Sequence, residues 1–206
     1  MPSIRTTAPA ALLVALALGL GACGGGVGAS TRGSSPSFRG GKIVDPPRAP
    51  DFALRDQVGR VVRLSSFHGL RIVAFLYTHC PDVCPIITEN LNLALRELGA
   101  NRRQVQVLGV SVDPRGDTRP AVQHFVRAHR LLPQFRYLTG SVARLRHVWG
   151  EYNVAEDPDR KDRAISHSAF EILVDRAGRE RLFYDAQVKA SDVVHDVRLL
   201  LNGQER

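Results

Sequence analysis

An α/β domain, with a central mixed β-sheet flanked by helices and an N-terminal β-hairpin, is predicted by three features of the sequence. Two nearly continuous apolar runs, residues 71–77 and 105–112, are each followed by a segment whose apolar residues recur at helical spacing. Two later apolar segments, 170–174 and 181–184, flank a turn at 175–178. Before all of these, residues 51–67 alternate around a turn signal at 56–59, as a hairpin requires.

In chain order, the hairpin contributes Phe52, Leu54, Val61, Val62 and Leu64 as its apolar set. The run at 71–77 lacks alternation, which suits a strand buried on both faces. Ile86, Leu91, Leu95 and Leu98 then place a helix over 85–98, opened by Pro85 and stopped by Gly99. The second strand, 105–112, leads to a helix from 118 to about 130 with Val122, Phe125 and Val126 on one face. Ser141 can cap a further helix whose Val142, Leu145, Val148, Trp149 and Tyr152 face inward as core. A hairpin and a helix near 191–201 close the chain. The order β-α-β-α, then hairpin and helix, is the layout of a thioredoxin-like fold.

The N-terminal part has a different character. Arg5 precedes an apolar stretch, residues 10–20, long enough for the hydrophobic region of an export signal and too short to span a bilayer as a helix. It ends in Leu20-Gly21-Ala22-Cys23, which resembles the lipobox of bacterial lipoproteins. That resemblance implies a signal peptide over 1–22, lipidation of Cys23, and anchorage at the extracytoplasmic face of the bacterial cell membrane. Residues 23–49 are rich in Gly, Ser and Pro and read as a flexible tether, leaving 50–206 for the folded domain.

Composition excludes little but is informative at two points. The formal net charge of +8 comes from basic residues scattered along the chain, with no stripe interleaved with aromatics, so nucleic acid is not the expected partner. An Arg-rich solvated surface accounts for the charge; anionic lipid or an acidic protein would be its functional counterpart. Cys23, Cys80 and Cys84 are an odd set that disulfides alone cannot absorb. A monomer is the default expectation.

The chemistry concentrates in Tyr77-Thr78-His79-Cys80-Pro81-Asp82-Val83-Cys84-Pro85, which puts two thiols between the end of a strand and the first turn of a helix. Unsatisfied N–H groups and the positive end of the helix dipole favour an anion there, so a lowered thiol pKa is expected. Thiolate is the form that binds metal or attacks a disulfide. Three residues separate the cysteines, where thioredoxin-type oxidoreductases have two, which argues against simple dithiol exchange. A purely structural disulfide is also disfavoured, because so short a loop stabilises little when closed.

Residues 78–85 resemble the signature of the SCO/SenC family of copper-binding thioredoxin-like proteins. Ser111-Val112-Asp113-Pro114-Arg115-Gly116-Asp117-Thr118 is similar to that family's second block, and Ser166-His167-Ser168 to the segment carrying its distal histidine. The resemblance implies a copper site, Cu(I) or Cu(II), formed by Cys80, Cys84 and His167, with Cys80 and Cys84 also able to form a redox disulfide. It further implies a metallochaperone for the dinuclear copper centre of cytochrome c oxidase, with oxidase subunit II as acceptor. Ser166 departs from the Asp that many members place before the histidine. Two soft thiolates and an imidazole suit Cu(I) better than structural zinc, which takes four protein ligands.

Three functions follow from such a site: a copper chaperone, a thiol-disulfide oxidoreductase that keeps acceptor cysteines reduced, and a peroxidase. The last wants a more distant resolving cysteine. His79 is expected to point away from Cys80. Asp82, as a helix cap or first-turn charge, and Asp113, as a turn former, have structural readings that compete with a place behind the ligands. His68, His124, His129, His147 and His195 read as ordinary histidines.

Overall fold

Leu70–Leu76 (β4) is buried at all seven positions, as a non-alternating apolar run demands when both faces of a sheet are covered. The computed structural model describes residues 37–154 and 170–203. Around β4 they form β1 (Gly41–Lys42), β2 (Ala53–Arg55), β3 (Val61–Arg63), α1 (Val83–Glu97), β5 (Val105–Ser111), α2 (Arg119–Ala128), β6 (Phe135–Leu138), α3 (Val142–Glu151), β7 (Phe170–Val174), β8 (Glu180–Asp185) and α4 (Ala190–Leu201). The main sheet has the order β1-β8-β7-β4-β5-β6, and β2 pairs with β3 as a separate hairpin. β4, β5 and β6 are parallel, while β7, β8 and β1 are added antiparallel. The mixed sheet flanked by helices, the entry hairpin and the closing hairpin and helix agree with the sequence.

Register fixes which side chains share a face. Tyr184, Glu171, Ala74, Gly109 and Tyr137 are successive partners across β8, β7, β4, β5 and β6 and so line one face. Phe125 of α2 packs its ring 5.4 Å from that of Tyr137, and Asp196 of α4 accepts from the Tyr184 hydroxyl at 3.0 Å, so both helices cover this face. The other face holds Phe75, whose ring lies 5.6 Å from Tyr152 at the end of α3. Trp149 and Tyr152 are core as expected, their polar tips bonded to the Ser111 and Pro50 carbonyls. Glu171 is fully buried with neither carboxyl oxygen partnered; burial, aided by the charge of Asp185, pushes its pKa up to about 9, so it is neutral at pH 7.

Three boundaries differ from the expectation. α1 starts at Val83, two residues before Pro85; Pro85 falls in the first turn, where its missing N–H costs no helical bond. β6 was not anticipated: it has four residues, one of them Arg136, too few to show a period, yet Phe135, Tyr137 and Leu138 are completely buried. Of the segment 23–49, expected as a tether, the described part, residues 37–49, is held by the domain. Asp196 accepts the Arg39 and Gly40 N–H groups at 2.9 and 2.8 Å, and Gly41 and Lys42 pair with Phe183 and Leu182. A Cβ at Gly40 or Gly41 would collide with the Tyr184 and Phe183 rings, so glycine permits the close approach that closes the β8 edge. Residues 1–36, where a signal segment and a lipidated Cys23 are expected from the sequence, lie outside the described residues.

Candidate metal centre

β4 delivers the chain to the C-terminal end of the parallel strands, where the Cys80 N–H bonds the Tyr77 carbonyl at 3.3 Å. Asp82 takes the N-cap position of α1, but its carboxylate makes no capping bond. The sulfur of Cys80 does that work: the Cys84 N–H, in the first turn, donates to Cys80 Sγ at 3.3 Å. A thiolate accepts such a bond far better than a thiol, so the helix end favours the ionised form.

The two thiols are consequently unlike. Hydrogen bonding from the Cys84 side chain, with the N–H groups of Asp82 and Cys84 and the Tyr77 side chain, holds Cys80 well below the ordinary thiol range against the opposing effect of burial. Cys84 is pushed up, first by its bond to Cys80 and then by its own complete burial. Cys80 retains 9% exposure and Cys84 none, so the anionic sulfur is the one nearer solvent. Both are free thiols here, and the lowered thiol pKa expected at the helix N-terminus falls on Cys80 alone, Cys84 being shifted the other way.

Behind the pair lies a residue that sequence reasoning did not single out. Asp117, buried between β5 and α2, accepts the Thr78 N–H at 2.7 Å, the Ser111 hydroxyl at 2.6 Å and the Tyr137 hydroxyl at 2.8 Å. One carboxylate thereby ties the cysteine turn to β5 and β6. Burial raises the Asp117 pKa against these three donors, and burial followed by the Asp117 charge pushes Tyr137 well above its usual range, which keeps the phenol a donor. Its only sequence signal was a place in the 111–118 block.

The other candidates separate cleanly. His79 is exposed, its Nδ1 3.0 Å from Thr78 Oγ1, while its neighbour Cys80 is buried. Asp113 acts as a turn former: its Oδ1 accepts the Arg115 and Gly116 N–H groups at 3.2 and 2.8 Å. Ser166 and His167 lie outside the described residues. Among the described residues no group of three or more His, Cys, Asp and Glu side chains could hold a metal, so the described part of the centre is the thiol pair alone.

A thioredoxin-like domain with an asymmetric dithiol capping its first helix defines the class of protein. The chain belongs to the SCO1/SenC family, which it matches over residues 43–202. It is similar to apo Sco1 of Thermus thermophilus, at 32% identity and a TM-score of 0.68, covering 82% of this chain and 99% of that one. ScoI of Bradyrhizobium japonicum, solved with copper bound, is 27% identical with a TM-score of 0.66, covering 75% and 99% respectively. An SCO2-like protein of Rickettsia prowazekii is 26% identical over 149 residues, 69% of this chain and 72% of that protein. Structural neighbours thus include Sco proteins with copper bound. No helix among the described residues is long and apolar enough to cross a membrane.

Two outcomes are expected. In the reduced, metal-free protein, the pH midpoint for alkylation of Cys80, read site by site by mass spectrometry, lies below the ordinary thiol value of 9.0 and rises toward it in Cys84→Ala, which removes the leading cause of the shift. Asp117→Ala strands three donors and lowers stability in urea by about 2 to 4 kcal/mol, whereas Asp117→Asn, which keeps the shape and an acceptor oxygen, costs about half as much or less.

Proposed function

We propose that this protein is an extracytoplasmic copper metallochaperone that holds copper through Cys80, Cys84 and His167 and supplies it during assembly of the dinuclear copper centre of cytochrome c oxidase, with subunit II as acceptor. The observation that carries the reading is the thiol pair: a sulfur lowered below the ordinary thiol range, at a helix N-terminus, beside a second thiol in the first turn. Soft thiolates select Cu(I), and the chemistry of the pair fits that cargo. Two sulfurs leave a low coordination number, which an imidazole completes while leaving an approach for an acceptor thiol. Copper bound to ScoI of Bradyrhizobium japonicum supports the assignment.

The unlike thiols also favour a second reading, reduction of acceptor disulfides. Cys80 thiolate would attack one sulfur of the acceptor disulfide, breaking its S–S bond and forming a mixed disulfide. Cys84, giving up its proton, would then displace the acceptor thiolate, leaving a Cys80–Cys84 disulfide and a reduced acceptor. An external dithiol reductant must regenerate the pair.

Copper titration distinguishes the two. The chaperone reading requires that Cys80→Ser, Cys84→Ser and His167→Ala each weaken copper by more than about tenfold, the lower end for losing even a residue behind a ligand. His167→Ala with unchanged affinity removes the proposed centre, while thiol exchange by itself is indifferent to His167. The lipobox reading of Cys23 completes the picture by holding the domain at the outer face of the cell membrane through a lipid. Cys23→Ala is then expected to move the exported protein from the membrane pellet to the soluble fraction, with copper affinity unchanged.

A further inference from the structure

At the end of the sheet where the thiols lie, the chain assembles positive charge that its own described carboxylates do not neutralise. Two adjoining hollows of about 450 Å³ each share Arg55 and Thr139. Their common floor is the two-bond backbone bridge between those residues, with N···O distances of 2.9 and 2.8 Å. Arg119, the first residue of α2, lines one hollow; Arg144, in the first turn of α3, lines the other. All three arginines are exposed, and none forms an ion pair with a described carboxylate. Asp56, which also lines the first hollow, is buried and already accepts from Val58, Arg60 and Arg136.

The helices sharpen the imbalance. α2 and α3 are capped by Thr118 and Ser141, neutral side chains, and neither has an acid in its first turn. Both present the positive end of the helix dipole where a carboxylate would be favourable, and both place an arginine there instead. Like charges gathered at such positions are unfavourable in the free protein and become favourable when an anion arrives.

We propose that this groove is a docking surface for an extended acidic segment of a partner protein. The guanidinium groups are distributed along two hollows on either side of the Arg55–Thr139 bridge, which suits carboxylates spaced along a chain rather than one compact anion. A bilayer surface is flat and would not enter the recess. The groove needs no metal and stands apart from the copper reading, but it lies at the thiol end of the sheet: β4, β5 and β6 run parallel and lead into the cysteine turn, α2 and α3.

The test uses the purified, metal-free chain and a fluorescein-labelled decaglutamate peptide, followed by anisotropy at low and physiological salt, with phosphatidylglycerol vesicles as a second probe. Arg119→Gln combined with Arg144→Gln is expected to weaken the peptide at least about fivefold, from two exposed charge contacts. Arg103→Gln with Arg176→Gln, an equal charge change at the opposite end of the sheet, is expected to weaken it less than about twofold. Equal losses from the two pairs would reduce the effect to net charge and overturn the proposal. So would absence of peptide binding, or vesicle binding through Arg119 and Arg144 in place of the peptide.

Discussion

The bond from the Cys84 amide to Cys80 Sγ joins the fold to its chemistry, because it satisfies a helix end and sets the charge of a reactive atom at once. An N-cap usually supplies an oxygen. Here the residue at that position, Asp82, leaves its carboxylate in solvent, and the sulfur two residues earlier fills the role. Three residues between the cysteines make this possible: the chain can turn through Pro81 and Asp82 and bring the first sulfur over the first turn of α1, with the second inside that turn. Cys84 is then both the donor to Cys80 and the more buried partner, which is why one thiol is lowered while the other is raised.

The turn keeps that shape because it is fastened from behind. Thr78 has a single N–H, and Asp117 takes it; Ser111 and Tyr137 hold the same carboxylate from β5 and β6. A buried carboxylate is costly without donors, and three donors with no acceptor would be costly without it. The arrangement therefore persists only as a whole, and it orders the loop after β4 relative to the loop after β5.

How much of this could be read from the sequence depended on the range of the interactions. β4 and β5 were legible because burial on both faces leaves a continuous apolar run, and the β7–β8 hairpin because Asp175 and Gly178 mark its turn. The thiol pair was legible because strand, cysteines and helix are contiguous. Asp117 was not: its partners stand 39, 6 and 20 residues away, and a carboxylate beside Gly116 and Thr118 has the local appearance of a turn residue. β6 failed for the opposite reason, being too short for any period to show. The segment 37–49 read as a tether because it is poor in apolar groups, yet beside the packing of Phe38 and Ala49 it is held by backbone pairing and by Asp196, neither of which hydropathy reports.

Parallel topology gives the charge pattern a common origin. Strands that run the same way hand their chains to helices that all begin at one end of the sheet, so α1, α2 and α3 concentrate their free N–H groups there. None of the three has an acid in its first turn. Acidic groups at that end lie outside those first turns: Asp82 at the N-cap of α1, Asp113 in the turn after β5, Asp117 beneath the cysteine turn, with the Cys80 sulfur above it. The first turns of α2 and α3 carry Arg119 and Arg144, which line the neighbouring groove without described acidic partners. Activation of the sulfur and attraction for an acidic chain are two consequences of one strand order, separated only by whether the anion belongs to this protein or arrives with another.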